Sequence, residues 1–89
     1  MVWRIELDPA VERELSKLEP PVARRILVFL YERVALLGDP RNIGETLKGS
    51  HLNEFWKYRV GNYRVIANIE DSTVRILIVR TGHRREIYR

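Results

Sequence analysis

Two runs of alternating apolar and polar residues lie on either side of a Gly61-Asn62 pair, and this feature restricts the fold of the chain more than any other. Alternation with a period of two places successive side chains on opposite faces of a β-strand. A Gly-Asn pair suits a two-residue hairpin loop in which the glycine adopts a positive φ. The stretch from residue 55 to residue 69 therefore predicts a β-hairpin.

The two-residue loop also fixes which residues of the hairpin face one another. The predicted pairs are Val60 with Tyr63, Arg59 with Arg64, Tyr58 with Val65, and Lys57 with Ile66. Because facing side chains share one side of the sheet, Tyr58 and Val65 are expected on the apolar side. The cations Lys57, Arg59 and Arg64 are expected together on the other.

The pairing of Arg59 with Arg64 is an electrostatic conflict. Like charges opposed across a hairpin destabilise it by an amount comparable to the roughly 0.2–1 kcal/mol that favourable pairs contribute. A phosphate between the two side chains would offset this cost, because guanidinium groups present planar donor forks to phosphate oxygens. The alternative is that both long side chains extend into water.

The N-terminal segment predicts a strand followed by a helix. Trp3, Ile5 and Leu7 alternate with polar neighbours, which is typical of a half-buried strand. Asp8 and Pro9 then have the residue types of an N-cap and a first helical position. Apolar residues recur four and three positions apart along the first helix, at Val11, Leu15 and Leu18.

A second helix is expected from Pro21 to about Leu37, ended by the Gly38-Asp39-Pro40 sequence. Residues 38–54 lack periodicity and predict an irregular connection, while residues 73–79 predict a last strand. The order is then β-α-α-β-β-β. We expect a single α+β domain spanning 1–89, in which a helical hairpin packs on a small, mainly antiparallel, four-stranded sheet.

The positive charge of the chain is concentrated in its last third. Residues 55–89 hold eight basic and three acidic residues, a net of +5, whereas residues 1–54 carry a net of −1. Such asymmetry favours a polyanionic partner, although a merely basic protein would have the same count.

The N-terminus has no leader-like pattern and no stretch is long and apolar enough to span a membrane, which predicts a cytoplasmic protein.

Several classes of catalytic site are excluded by composition. The chain has no cysteine, so thiolate metal sites and cysteine nucleophiles are impossible. Its two histidines, His51 and His83, are far apart and lack a carboxylate at ligand spacing, so we expect no metal and no cofactor. Further candidate phosphate-binding residues surround the predicted hairpin and fill the tail: Lys48, Arg80, His83, Arg85 and Arg89.

The chain resembles the RelE/ParE superfamily of bacterial and archaeal toxins. The resemblance covers nearly the whole chain and rests on its length, on the element order and on three segments. These segments are Leu47-Lys48-Gly49, Trp56-Lys57-Tyr58-Arg59-Val60-Gly61-Asn62-Tyr63-Arg64-Val65-Ile66 and Gly82-His83-Arg84-Arg85-Glu86-Ile87-Tyr88. It implies a RelE-like fold and a RelB-like antitoxin, partly disordered until bound, in a heterotetramer or larger complex.

In the RelE branch the toxin enters the A site of the 30S ribosomal subunit and cuts mRNA without a metal, by attack of the ribose 2′-OH on its own 3′ phosphate. The resemblance carries catalytic positions over to Lys57, Arg59, Arg64, Arg84 and Tyr88. It implies that Arg64 and Arg84 stabilise the transition-state phosphate and that Tyr88 or Lys57 is the general base. Arg59 then binds phosphate or protonates the leaving group.

The competing hypothesis is a toxin of the ParE type, which has the same fold but inhibits DNA gyrase through a protein surface and is not a nuclease. ParE-like chains generally lack the full basic set together with the terminal tyrosine. The presence of that set in this chain favours RNA cleavage. A third alternative is a degenerate toxin kept as an interaction module.

Overall fold

The computed structural model describes residues 2–46 and 55–83, which form a mixed sheet with two helices packed on one face. The strands are β1 (Arg4–Leu7), β2 (Glu45–Thr46), β3 (Phe55–Val60), β4 (Tyr63–Glu70) and β5 (Arg75–His83). The helices are α1 (Pro9–Ser16) and α2 (Pro20–Glu32). Across the sheet the order is β1-β5-β4-β3-β2, with β1 parallel to β5 and all other neighbours antiparallel. The α+β class is confirmed, and within the described ranges the sheet has five strands instead of four.

The hairpin formed by β3 and β4 has the predicted register. Val60 faces Tyr63, Arg59 faces Arg64, Tyr58 faces Val65 and Lys57 faces Ile66. Gly61 has φ +61°, and Asn62 does not share the positive φ, which is the pattern of a type II′ turn. The two residues thus form the predicted hairpin loop, in which the glycine has the positive φ.

The helices and the sheet enclose one apolar core. Asp8 caps α1, because its Oδ1 accepts a 2.9 Å hydrogen bond from the Ala10 N–H. Val11 and Leu15 of α1 are buried against the sheet, as their spacing predicts. The remaining buried apolar residues of this core come from both layers: Trp3, Ile5, Ile26, Leu30, Val34, Ala35, Tyr58, Val60, Val65, Ala67, Ile69, Ile76 and Ile78.

The second helix is shorter than predicted. It ends at Glu32, and a 3-10 turn at Val34–Leu36 follows where the apolar period suggested continued α-helix. In this turn the Ala35 carbonyl accepts a 2.8 Å hydrogen bond from the Trp3 N–H. The backbone therefore leaves α-helical geometry where it becomes a partner of the N-terminal strand, which no local pattern in the sequence reveals.

The connection after α2 contains the additional strand. Glu45 and Thr46 pair with Lys57 and Trp56, so this part of the predicted irregular segment is wrong. Two residues are too few for an alternation signal. The strand forms because tertiary contacts hold the preceding segment: the Trp56 Nε1–H donates to the Ile43 carbonyl at 2.7 Å. The remainder of the predicted connection, residues 47–54, lies outside the described residues.

The last strand is longer than predicted. It runs to His83, whereas the alternation ends near residue 79. Ile66 pairs with Arg80 and Ala67 pairs with Ile78, so Val79 is an extra residue in a β-bulge. Because a bulge resets the two-residue period, the sequence beyond it does not look like a continuation of the same strand.

Gly44 is the glycine on which the additional strand depends. Its φ is +81°, and a Cβ placed on it would lie 2.5 Å from the Lys57 carbonyl oxygen and 2.6 Å from Trp56 Nε1. The positive φ would be strained in a residue with a side chain, and the close contacts leave no space for a Cβ. Gly38 offers a contrast, since a Cβ there would meet nothing within 4 Å.

We predict that Gly44→Ala lowers the free energy of unfolding by about 1–3 kcal/mol, because it combines left-handed strain with a backbone clash. Gly38→Ala is the matched control and should change stability by less than about 1 kcal/mol. Urea unfolding followed by circular dichroism measures both. Equal effects of the two substitutions would contradict the structural role given to Gly44.

Tyr58 provides the second tether of this connection. Its side chain is 1% exposed, and its hydroxyl donates to the Pro40 carbonyl at 2.7 Å. Burial raises the pKa of the Tyr58 phenol far above its usual range. The folded state therefore holds this proton at pH values where an unfolded chain, with a tyrosine pKa of about 10, releases it.

The native protein should consequently lose stability as the pH rises above about 10, as ionisation of this tyrosine favours the unfolded state. Tyr58→Phe should lose about 1 kcal/mol at pH 7, because the Pro40 carbonyl loses its donor. Above pH 10 the difference between the two proteins should shrink. Urea unfolding at a series of pH values tests this, and a difference that stays constant would be evidence against it.

Candidate functional site

The face of the sheet opposite the helices carries the cations predicted from the hairpin. Arg59 and Arg64 face one another across β3 and β4, and Lys57 lies one row further from the loop. Arg80 of β5 faces Ile66, so it lies in the same row as Lys57. We call Lys57, Arg59, Arg64 and Arg80 the cationic face.

The Arg59–Arg64 pair is the most unusual part of this face. Arg59 is exposed, but Arg64 is only 5% exposed, which the sequence did not predict for the outer side of a sheet. Its Nη1 donates to the Tyr63 carbonyl at 3.4 Å. Within residues 2–46 and 55–83, no carboxylate lies within 4.0 Å of either guanidinium. In this part of the chain Arg64 is thus a buried cation that has no carboxylate partner and faces a second cation, an arrangement that favours an anion beside the pair.

Lys57 has an acidic neighbour. Its Nζ lies 3.0 Å from Glu45 Oε1, and the two residues face one another across β2 and β3. The Lys57 side chain is 18% exposed, whereas that of Glu45 is 65% exposed. A carboxylate at this distance favours the charged form of the lysine. Lys57 is therefore a positive charge at the margin of the face.

His83 is not on the cationic face. It pairs with Tyr63 at the end of β5, and the two rings meet edge to face with centroids 5.6 Å apart. Tyr63 belongs to the helix-facing side of the sheet. The structure thus separates His83 from Arg59 and Arg64, which the sequence reasoning had grouped with it as phosphate ligands.

Five other predicted site residues lie outside the described residues. They are Lys48, Arg84, Arg85, Tyr88 and Arg89. Their assignments to catalysis and to phosphate binding stay predictions.

Some of the positive charge counted in the last third of the chain is neutralised elsewhere. Arg75 lies at the opposite end of β5, where Glu70 binds it at 2.7 Å and Glu6 at 3.3 Å. The hydrogen bonds that Arg75 donates to the Glu70 carboxylate raise the pKa of Arg75 above its usual range. In the turn nearby, two hydrogen bonds from Arg41 hold the pKa of the Asp71 carboxyl below its usual range. Among the described residues, the positive charge left without a carboxylate partner therefore covers a smaller surface than the net charge suggests.

Two acidic residues beside the cationic face were missed by the sequence reasoning. Glu45 sits in a strand too short to be recognised, and Glu14 is a charged position of α1. Glu14 Oε1 accepts a 3.1 Å hydrogen bond from the Thr81 N–H, and its Oε2 lies 4.0 Å from Arg80 Nε. No spacing in the sequence joins residue 14 to residue 81.

Metal ligation and membrane insertion have no candidate within the described part of the chain. There, no three residues of the types His, Cys, Asp and Glu lie close enough to hold one metal ion. No helix in the same ranges is long and apolar enough to cross a membrane.

Known sequences match this chain over almost its full length. The profile of a family described as the ParE toxin of type II toxin-antitoxin systems matches residues 5–88. Toxin RelG of Mycobacterium tuberculosis is 27% identical over 89 residues, which cover 100% of this chain and 99% of that protein. Toxin RelE of the same organism is 26% identical over 87 residues, covering 98% of this chain and 87% of that protein.

Solved structures share the fold. A RelBE-type toxin-antitoxin complex from Mycobacterium tuberculosis contains a chain with a TM-score of 0.83 at 23% identity, covering 94% of this chain and 93% of that one. An archaeal RelE-RelB complex from Pyrococcus horikoshii gives 0.74 at 25% identity, covering 94% and 97%. The isolated RelE toxin of E. coli gives 0.69 at 20% identity, covering 97% and 90%.

The unfavourable Arg59–Arg64 pairing leads to a prediction about stability. Arg59→Gln should raise the free energy of unfolding by about 0.2–1 kcal/mol at low salt, because it removes a like charge facing Arg64. The gain should shrink as salt screens the repulsion. Urea unfolding at low and high KCl measures it, and a loss of stability would show that Arg59 has a favourable intramolecular role instead.

Proposed function

Because the chain belongs to the ParE toxin family of type II toxin-antitoxin systems, we propose that it acts as a ribosome-dependent mRNA endonuclease, the activity expected in the RelE branch of the superfamily. The observation that carries this proposal is the Arg59–Arg64 pair, in which a buried cation faces an exposed one. Phosphate is the ligand that this pair fits best. The curated relatives named RelG and RelE support the same branch.

The reaction proposed is attack of a ribose 2′-oxygen on the adjacent phosphorus. The new O–P bond forms as the bond to the 5′-oxygen breaks, leaving a 2′,3′-cyclic phosphate and a 5′-hydroxyl. It needs a base for the 2′-OH proton, positive charge for the phosphorane oxygens and a proton for the leaving oxygen. Arg64 supplies the charge, together with Arg84, which lies outside the described residues. Arg59 binds the phosphate.

The contact between Glu45 and Lys57 bears on which residue we assign as the general acid and which as the general base. In the free protein a carboxylate 3.0 Å from Lys57 Nζ favours the ammonium ion, and an RNA phosphate that takes the place of this carboxylate does the same. An ammonium ion can donate a proton but cannot accept one. We therefore assign Lys57 to the leaving oxygen, a role that Arg59 fills poorly because guanidinium does not readily exchange a proton. The general base is then Tyr88, which also lies outside the described residues.

We propose a RelB-like antitoxin as the protein partner, in a heterotetrameric or larger cytoplasmic complex. The support is that the fold occurs in solved RelE-RelB complexes from bacteria and archaea. An antitoxin that covers the cationic face with acidic residues would also neutralise the Arg59–Arg64 pair.

A gyrase inhibitor is the second candidate function. The observation in its favour is the description of the matching family, which names ParE. In that case the cations would contact a protein surface, and no covalent bond of an RNA would be broken.

Arg64→Gln should lower the rate of mRNA cleavage on translating ribosomes by at least about 100-fold, since one charge-stabilising donor typically contributes that much. Arg24→Gln removes an exposed arginine of α2 and should leave the rate unchanged. Primer extension locates the cuts, and thermal unfolding shows that both variants are folded. Intact mRNA together with inhibited DNA supercoiling would refute the nuclease and support the gyrase inhibitor.

A further inference from the structure

One row of residues crosses the cationic face from edge to edge. Glu45 faces Lys57, Lys57 faces Ile66, and Ile66 faces Arg80. The row thus places one cation on each side of an apolar residue. Each cation has a carboxylate on its outer side: Glu45 is 3.0 Å from Lys57, and Glu14 is 4.0 Å from Arg80.

The neighbouring row, nearer the hairpin loop, has a different composition. It consists of Arg59, Arg64 and Gly82. Among the described residues, no carboxylate lies within 4.0 Å of its two arginines. Within the described ranges, carboxylates therefore compensate one row of cations and leave the adjacent row uncompensated.

The position of Glu14 is set by the fold and not by Arg80. β1 ends at Leu7, opposite Ile78, so β1 does not cover the β5 edge beyond the bulge. Glu14 reaches that edge from α1, and its Oε1 accepts the hydrogen bond of the Thr81 N–H at 3.1 Å. The carboxylate is thus held by a backbone donor while its second oxygen faces Arg80.

Glu45 is likewise held by contacts independent of its ion pair. The preceding residue, Gly44, has φ +81° and packs against the β3 backbone. The two-residue strand that follows places Glu45 beside Lys57. The fold therefore places both acidic residues at the margins of the cationic face, one at each edge.

We propose that Glu14 and Glu45 are intramolecular counter-ions that compete with RNA backbone phosphates for Arg80 and Lys57. The inference rests on the proposed function in taking RNA as the ligand. In each ion pair one partner is largely exposed, Glu45 at 65% and Arg80 at 54%. Ion pairs open to solvent contribute little to stability, so phosphate can displace either carboxylate. Among the described residues the Arg59–Arg64 pair has no such competitor, so it binds phosphate first. The two acids thereby weaken RNA binding at the row of Lys57 and Arg80, and they leave binding at Arg59 and Arg64 unaffected.

The test uses Glu14→Gln and Glu45→Gln, which remove the charge and keep the side-chain shape. The amide oxygen at position 14 can still accept the hydrogen bond, so the Thr81 N–H at the β5 edge keeps its acceptor. Glu12→Gln is the matched control, because Glu12 is an exposed acid of the same helix without an ion pair among the described residues. The probe is a fluorescein-labelled 2′-O-methyl oligoribonucleotide of about 15 nucleotides, which presents phosphates but lacks the attacking hydroxyl.

Each of the two variants should bind the probe about fivefold more tightly at about 0.1 M KCl, as expected for one additional phosphate contact on a single strand. The slope of log affinity against log salt should steepen by about 0.7 for each, measured by fluorescence anisotropy. In an Arg80→Gln background, Glu14→Gln should have no more effect than the Glu12→Gln control. This double-mutant comparison isolates the Glu14–Arg80 pair.

Equal tightening by all three glutamine variants would overturn the proposal, because the effect would then be one of net charge alone. Tightening by Glu14→Gln that persists without Arg80 would overturn its role as a counter-ion. The ribosome assay separates this inference from the proposed function. Cut mRNA without tightening refutes only the counter-ions, and tightening with intact mRNA refutes only the nuclease.

Discussion

The two-residue loop at Gly61-Asn62 is the constraint on which the rest of the molecule depends. With this loop closed, only one register of β3 against β4 places Tyr58 and Val65 in the core. A slip by one residue would move every apolar side chain to the outer face and bury the cations. The same register that builds the core therefore forces Arg59 to face Arg64.

The remaining strands extend the sheet from this hairpin on both sides. On one side, the side chains of Trp56 and Tyr58 bind the carbonyls of Ile43 and Pro40 and bring the short β2 to the edge. On the other side, β5 carries a bulge that places Arg80 in the row of Lys57. The β5 extension adds the cation Arg80 to the outer face. Each extension has an acidic residue at its margin, Glu45 in β2 and Glu14 of α1 beside β5.

The electrostatics of the outer face follow from this layout. Among the described residues, the two arginines near the hairpin loop have no carboxylate partner, Lys57 and Arg80 have one each at the two margins, and Arg75 is neutralised by Glu6 and Glu70 at the far end of β5. Within this part of the chain, the electrostatic attraction for an anion is therefore strongest at the Arg59–Arg64 row.

The sequence by itself determined the hairpin register, the start of α1 and the placement of Lys57, Arg59 and Arg64 on one side of the sheet. Two-residue alternation, the loop glycine and the Asp8-Pro9 cap each act over a few residues. Only the tertiary structure decided the end of α2, the presence of β2 and the bulge in β5. Each of these depends on a bond between residues distant in sequence, such as that from Trp3 to Ala35. The burial of Arg64 and the placement of Glu14 beside Arg80 were decided in the same way. Packing brings residues that are distant in sequence into contact, and the local spacing of residues does not reveal such contacts.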